Sequence, residues 1–211
     1  MGRLQVMGFS VGVVGTNCYF ALNKETMEVI IVDPGDEAKN IIHLCDERGY
    51  RPVAILLTHG HFDHVMAVQE VSSHYGLDAY IYKDEIDVLH DPSMNASWMI
   101  GREETYDANC PVWDDEELFL AGFRIRVLFT PGHTPGGCCY YFPDEDALFS
   151  GDTLFQRSVG RTDFPKGSLA DLVRSIKEKL LVLPDRTVVY PGHMEPTTIG
   201  DERYMNPYIQ S

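Results

Sequence analysis

Five times along this chain a short apolar run ends abruptly in a tight turn that carries histidine or aspartate. The segments are IIVDPGD (30–36), ILLTHGHFDH (55–64), VLFTPGHTPG (127–136), ALFSGD (147–152) and VVYPGHMEP (188–196). Apolar runs of this length, bounded by Gly and Pro, read as buried strands. Strand ends are where a rigid scaffold presents reactive side chains on loops. Five polar turns of one kind therefore read as five walls of a single pocket, and the fold must bring five strand ends to one edge.

The stretches between them alternate in type. A helix is expected after Asp36 as its N-cap, closed by Gly49, and another from His64 to Tyr75 with Val65, Val68, Val71 and Tyr75 on one face. Ser168 is expected to cap a last amphipathic helix, while PVAILLT, DAYIY, FRIRVLFT and GCCYYF read as strands. Residues 91–113 show no clear period, and no repeat or low-complexity tract is present. Strands and helices mixed in this order predict an α/β fold, two sheets packed together with helices outside, as one domain over residues 1–211. A 44% hydrophobic composition supplies the core.

Charge narrows the function classes. A net charge of −15 repels phosphate backbones, so nucleic acid is not an expected partner. The densest acidic run, Asp114 to Glu117, reads as a solvated turn before a strand. No apolar run is long enough for a membrane span, and MGRLQVMGFSVGVVGTNCYF reads neither as a secretion signal nor as a myristoylation motif. The five cysteines form no C-x-x-C pair, and adjacent Cys138 and Cys139 face opposite ways on a strand. Reduced thiols and a cytoplasmic location are the expectation. Nothing in the sequence sets an oligomeric state.

The turns also specify chemistry. Three of the eight histidines fall within residues 59–64, together with Asp63. Imidazole nitrogens and carboxylate oxygens without a thiolate suit zinc, iron or manganese. His59 and His61 face the same way if the backbone is extended, whereas Asp63 and His64 open the next helix and face elsewhere. Four donors so arranged close more naturally on two neighbouring ions than on one. His43, His74 and His90 carry no such pattern and read as ordinary surface or hydrogen-bonded histidines.

In sequence, THGHFDH, TPGHTPGG, SGDTLF and YPGH together resemble the metallo-β-lactamase superfamily, over nearly the whole chain. GDTLFQRSVGRTDFP and TTIGDERYMNPYI are most similar to its short glyoxalase II-like hydrolases. The resemblance implies an αββα sandwich. It implies that His59, His61 and His133 hold one ion, that Asp63, His64 and His193 hold a second, and that Asp152 bridges them. Asp33 is similar to an aspartate that orders the site from behind. Two divalent ions, zinc foremost with iron or manganese as alternatives, would share a water and lower its pKa toward neutrality. The implied activity is hydrolysis of a small acyl-thiol substrate such as S-lactoylglutathione, with Asp63 and Asp152 in the catalytic centre and a bridging hydroxide as nucleophile.

Around that centre the sequence has its own features. Asp152 stands where many class B β-lactamases carry cysteine, which points away from antibiotics. Arg161 and Asp163 stand where glutathione-specific members carry lysine and tyrosine, and Glu195 where they carry tyrosine. Arg161 either pairs with a substrate carboxylate or with Asp163. Met94, Trp98 and Met99 make residues 91–113 a candidate lid, or else pack on the rim. Arg161, Trp98 and Glu195 are thus the candidate substrate contacts. A rival reading within the same fold is a persulfide dioxygenase with one iron on His59, His133 and Asp152. A non-catalytic metal-binding module is the third.

Overall fold

The computed structural model describes residues 3–209. Its first sheet runs β1 (Leu4–Val11), β2 (Thr16–Asn23), β3 (Glu28–Val32), β4 (Arg51–Leu57), β5 (Ala79–Tyr82) and β6 (Cys110–Val112), in that spatial order. The first three strands pair antiparallel and the rest parallel. The second sheet is built from β7 (Glu117–Leu120), β8 (Phe123–Phe129), β9 (Cys138–Phe142), β10 (Ala147–Gly151), β13 (Val188–Pro191) and β14 (Thr197–Thr198), ordered β14-β13-β10-β9-β8-β7. A small hairpin, β11 (Leu154–Phe155) with β12 (Ser158–Val159), projects from it.

Alternation along the strands sorts the apolar side chains into three layers. Ile30, Val32 and Leu56 from the first sheet meet Ile125, Tyr140 and Phe149 of the second between the sheets. The intervening Val29, Ile31, Ile55 and Leu57 face outward, against α1 (Ala38–Arg48) and α3 (Val68–Tyr75). On the far side Cys139, Leu148 and Val189 pack under α5 (Leu169–Ser175) and α6 (Ile199–Met205). Cys138 lies in the inner layer and Cys139 in the outer one, and all five thiols are free. This is the expected αββα sandwich. Each fully buried Ile or Phe of the inner layer contributes about 1.5–3 kcal/mol.

Local expectations met mixed outcomes. Ser168 caps α5, accepting the Asp171 amide at 3.2 Å, and Gly49 and Gly76 close α1 and α3 in the left-handed region. Asp36 is not the N-cap of α1. Glu37 holds that position at φ 60°, and the Asp36 carboxylate instead accepts the Glu37 amide at 2.6 Å. The helix expected from His64 to Tyr75 divides into α2 (Phe62–Val65) and α3, because the Ala67 amide donates to the Pro34 carbonyl at 3.0 Å. Past α5 the helix widens into a π turn over Ile176–Leu180. Asp114 and Asp115 form a turn and Glu117 opens β7, with Asp114 paired to Lys179 at 2.7 Å. Among the described residues no helix is long and apolar enough to cross a membrane.

Candidate metal centre

The five turns do converge. β4 delivers His59 and His61, α2 delivers Asp63 and His64, the β8–β9 turn delivers His133, the end of β10 delivers Asp152, and the turn after β13 delivers His193. Their donor atoms form three overlapping groups: His59, His61 and His133; His59, His64 and Asp152; and Asp63, His64 and His193. All seven sequence-derived candidates are therefore in one place. His59, His61, His64 and His133 are buried, and Asp63, Asp152 and His193 are partly exposed toward the cavity.

Hydrogen bonds behind the ring fix which nitrogen faces inward. The Thr58 hydroxyl donates to Asp33 Oδ2 at 2.7 Å, so at 3.1 Å its oxygen can only accept from His59 Nδ1. His133 Nδ1 donates to the Arg161 carbonyl at 2.7 Å, and His64 Nδ1 donates to Asp33 Oδ2 at 2.9 Å. Each of these rings is thereby held with its Nε2 facing the centre. Asp33 does this from a left-handed backbone, φ 48°, and its other oxygen accepts the Thr58 amide at 2.8 Å. Aspartate tolerates that region better than most residues. Thr16, on β2, donates to Asp63 Oδ2 at 2.6 Å and turns that carboxylate toward His193.

The inward atoms converge at spacings that suit ligands of a common ion. His59 Nε2 and His133 Nε2 lie 3.1 and 2.9 Å from His61 Nδ1, so three ring nitrogens converge. His64 Nε2 sits 3.6 Å from Asp63 Oδ2 and 3.5 Å from Asp152 Oδ1, and both it and Asp152 Oδ1 are buried without a hydrogen bond. Asp152 Oδ2 stands 3.5 Å from both His133 Nε2 and His193 Nε2. Metal bonds of about 2.0–2.1 Å in a tetrahedron place ligand atoms roughly 3.3 Å apart, which is this spacing. The room is also kept open by Gly192, since a side chain there would collide with Asp152 Oδ1 and His64 Cε1. The residues fit divalent metal.

Electrostatics divides the centre. Burial first, then mutual repulsion among the rings, lowers the pKa of His59 and His61, so both are neutral near pH 7. Burial pulls His64 the same way, but Asp63, Asp152 and Asp33 overcome it and push the ring up to about 10. Asp63 is held below the ordinary carboxylate range: burial opposes this, and His64, His193 and Thr16 outweigh it. Without an ion, a proton fills the positive place that the carboxylates demand.

The centre opens into a cavity of about 440 Å³. Val14, Met99, Phe155, Val159 and Phe164 give it apolar walls, and Arg161 lines it as well. Arg161 is occupied: both Asp163 oxygens accept from it at 2.6 Å, and its guanidinium lies 4.3 Å from the Phe164 ring. Trp98 is 56% exposed and off the cavity wall, where Met99 and Ala96 stand instead. Glu195 lines a separate groove on the far side of Met194. The cavity therefore includes Arg161 and leaves out both Trp98 and Glu195. No sequence signal set Thr16, Thr58 and Phe164 apart: Thr58 opens THGHFDH and Phe164 lies in GRTDFP, but neither is a metal-donor type, and Thr16 stands in no motif.

A sequence model of the metallo-beta-lactamase superfamily matches residues 11–193. This chain belongs to that superfamily. It is 41% identical to a probable metallo-hydrolase, YqgX, of Bacillus subtilis, over 94% of each chain. It is 36% identical to the hydroxyacylglutathione hydrolase GloC of Haemophilus influenzae, over 92% of this chain and 93% of that one. Among solved structures it superposes on BLEG-1, named a B3 metallo-beta-lactamase, with TM-score 0.94, 39% identity and coverage of 98% and 100%. A di-iron-bound form of TTHA1623 gives 0.85 at 35% identity, covering 96% and 99%. ETHE1 of Myxococcus xanthus gives 0.80 at 25%, covering 96% and 83%. The superfamily places a metal-dependent enzyme on this fold.

Proposed function

We propose that the chain is a dinuclear metal hydrolase of thioesters, with S-lactoylglutathione as the representative substrate. The observation that carries this reading is Asp152, whose carboxylate touches both halves of the centre: Oδ2 stands 3.5 Å from His133 of the first trio and from His193 of the second, and Oδ1 stands 3.5 Å from His64 of the second. His59, His61 and His133 would hold one ion, and Asp63, His64 and His193 the other, with Asp152 shared. Two ions so held would supply Lewis acidity, bringing a water's pKa toward neutrality and polarising the acyl carbonyl. The residues themselves do the positioning. Asp33, Thr58 and the Arg161 carbonyl fix three imidazoles, and Thr16 fixes Asp63. The apolar walls exclude bulk water and seat the acyl chain. The name of the GloC relative supports the thioester reading.

A second reading follows from the subset His59, His133 and Asp152, a two-histidine, one-carboxylate set suited to oxygen chemistry on one iron, and from the likeness to ETHE1. The test is to strip the protein with chelator, reload it with zinc or ferrous iron, and assay three substrates. S-lactoylglutathione cleavage at two ions per chain is expected. Oxygen uptake with glutathione persulfide at one iron per chain would replace the proposal with the dioxygenase. Turnover confined to a chromogenic cephalosporin would replace it with the activity for which BLEG-1 is named.

A further inference from the structure

The first trio of the centre draws on both sheets. His59 and His61 lie in the turn after β4 of the first sheet, and His133 lies in the turn after β8 of the second. His133 Nε2 lying 2.9 Å from His61 Nδ1 across that divide requires the two turns to be set closely against each other. The sheets contribute a general register through the Cys138 amide, which donates to the Thr58 carbonyl at 2.9 Å, and through the Tyr140 hydroxyl, which donates to the Leu57 carbonyl at 3.0 Å. Both contacts lie within or just beyond the strands, before the His59–His61 turn and after the His133 turn.

The turns themselves meet on one side chain. Glu85, just ahead of α4 (Ile86–Leu89), is fully buried. Its Oε2 accepts the amide of Gly60 at 2.7 Å, and Gly60 is the residue between His59 and His61. Its Oε1 accepts the amide of Gly136 at 2.7 Å, three residues past His133. One planar carboxylate thus has one oxygen on each ligand turn. The fit is close on both sides: a side chain at Gly60 would press Glu85 Oε2 at 3.2 Å, and one at Gly136 would press the Glu85 amide nitrogen at 2.7 Å.

We propose that Glu85 is a positioning residue that sets the separation of His59 and His61 from His133, and so the affinity of the first ion, by gripping the Gly60 and Gly136 amides with its two oxygens. The proposal rests on the dinuclear reading. A carboxylate here is otherwise costly: burial pushes it up to about 7, against the pull of the Thr134 hydroxyl and of the Gly60 and Gly136 amides. An apolar side chain would fill the same volume without that cost. It would also leave two buried amides unpaired and the turns free to move apart.

The experiment is zinc titration of the metal-free full chain against a chromophoric chelator, giving two stepwise affinities, for wild type, Glu85→Gln, Glu85→Asp and Tyr140→Phe. Glutamine keeps one acceptor oxygen and sets an NH2 against the other amide. It is expected to weaken one of the two affinities about 10–100-fold, the range for groups that orient metal ligands, and to leave the other within about threefold. Tyr140→Phe removes a buried contact between the sheets without touching either turn. It should lower the thermal midpoint of the metal-free chain while leaving both affinities in place. Glu85→Asp, one methylene shorter, should fall in the same direction as glutamine, and it stands in if Glu85→Gln does not fold. Affinities in both Glu85 variants that match Tyr140→Phe would overturn the proposal and leave the dinuclear reading intact. A wild type that binds fewer than two ions would remove that reading, and the proposal with it.

Discussion

The two halves of the centre share Asp152 and differ in almost everything else. His59, His61 and His133 are three neutral rings that meet no carboxylate of their own, and burial keeps protons off them. Asp63, His64 and His193 put carboxylates against rings whose pKa values are raised, His64 to about 10. The first half is ready for a cation at neutral pH and the second must release a proton to take one. The same residue types thus give two sites with different pH behaviour, and the difference comes from where Asp33, Asp63 and Asp152 stand.

The largest effect should come from the residue that joins the halves. Asp152→Ala is expected to reduce thioester turnover about 10³-fold or more, in keeping with the several kcal/mol that metal catalysis supplies. His193→Ala should spare one bound ion per chain, while Asp152→Ala weakens both; metal analysis of the two variants after dialysis distinguishes them. Equal metal content in both would erase the division between the halves.

pH sharpens the contrast next. For His64 the folded pKa lies above the ordinary 6.5, so its proton must leave before an ion binds at Nε2. Zinc affinity of the second half should therefore rise about tenfold per pH unit from pH 7 toward 10, whereas that of the first stays flat. Calorimetry in buffers of different ionisation enthalpy should record about one proton released with the second ion. The sign for stability follows from the same shift. A raised His pKa stabilises the metal-free chain fully below about pH 6.5 and ceases to do so as pH rises through about 10, so its thermal midpoint should fall across that window.

Thr16→Val tests the second half alone. Losing the 2.6 Å hydrogen bond to Asp63 should weaken the second ion about tenfold and leave the first unchanged. The smallest effect is expected at the rim. Asp163→Asn releases Arg161 for an anionic substrate, and kcat/KM for S-lactoylglutathione should rise about two- to fivefold, the scale of an exposed ion pair. No change there would mean that Arg161 does not meet the substrate.

The seven donors were legible because the motifs crowd rare residue types at strand ends, and five such ends leave few folds that can use them. Asp33 was legible by the same route. Thr16 was not, because one threonine at the start of a strand looks like any other. Its role depends on β2 lying beside α2, a contact that no local pattern encodes. The N-terminal hairpin of β1 and β2 is absent from the sequence reading, although its strands pair locally, with each other and with β3. Trp98 was judged from the apolar character of residues 91–113, and composition does not set direction: a short 3₁₀ turn, Ser97–Ile100, aims Met99 at the cavity and leaves Trp98 in solvent. Glu195 was placed by its spacing from His193, but Met194, at φ 69°, takes the cavity side and Glu195 enters the neighbouring groove.

The central claim is that two ions act together on a thioester. The most direct measurement is stepwise addition of zinc to the metal-free protein at pH 8 while S-lactoylglutathione hydrolysis is followed. Hydrolysis should stay near baseline through the first equivalent and climb to a plateau at the second. Full activity at one equivalent, or none at two, would contradict the account.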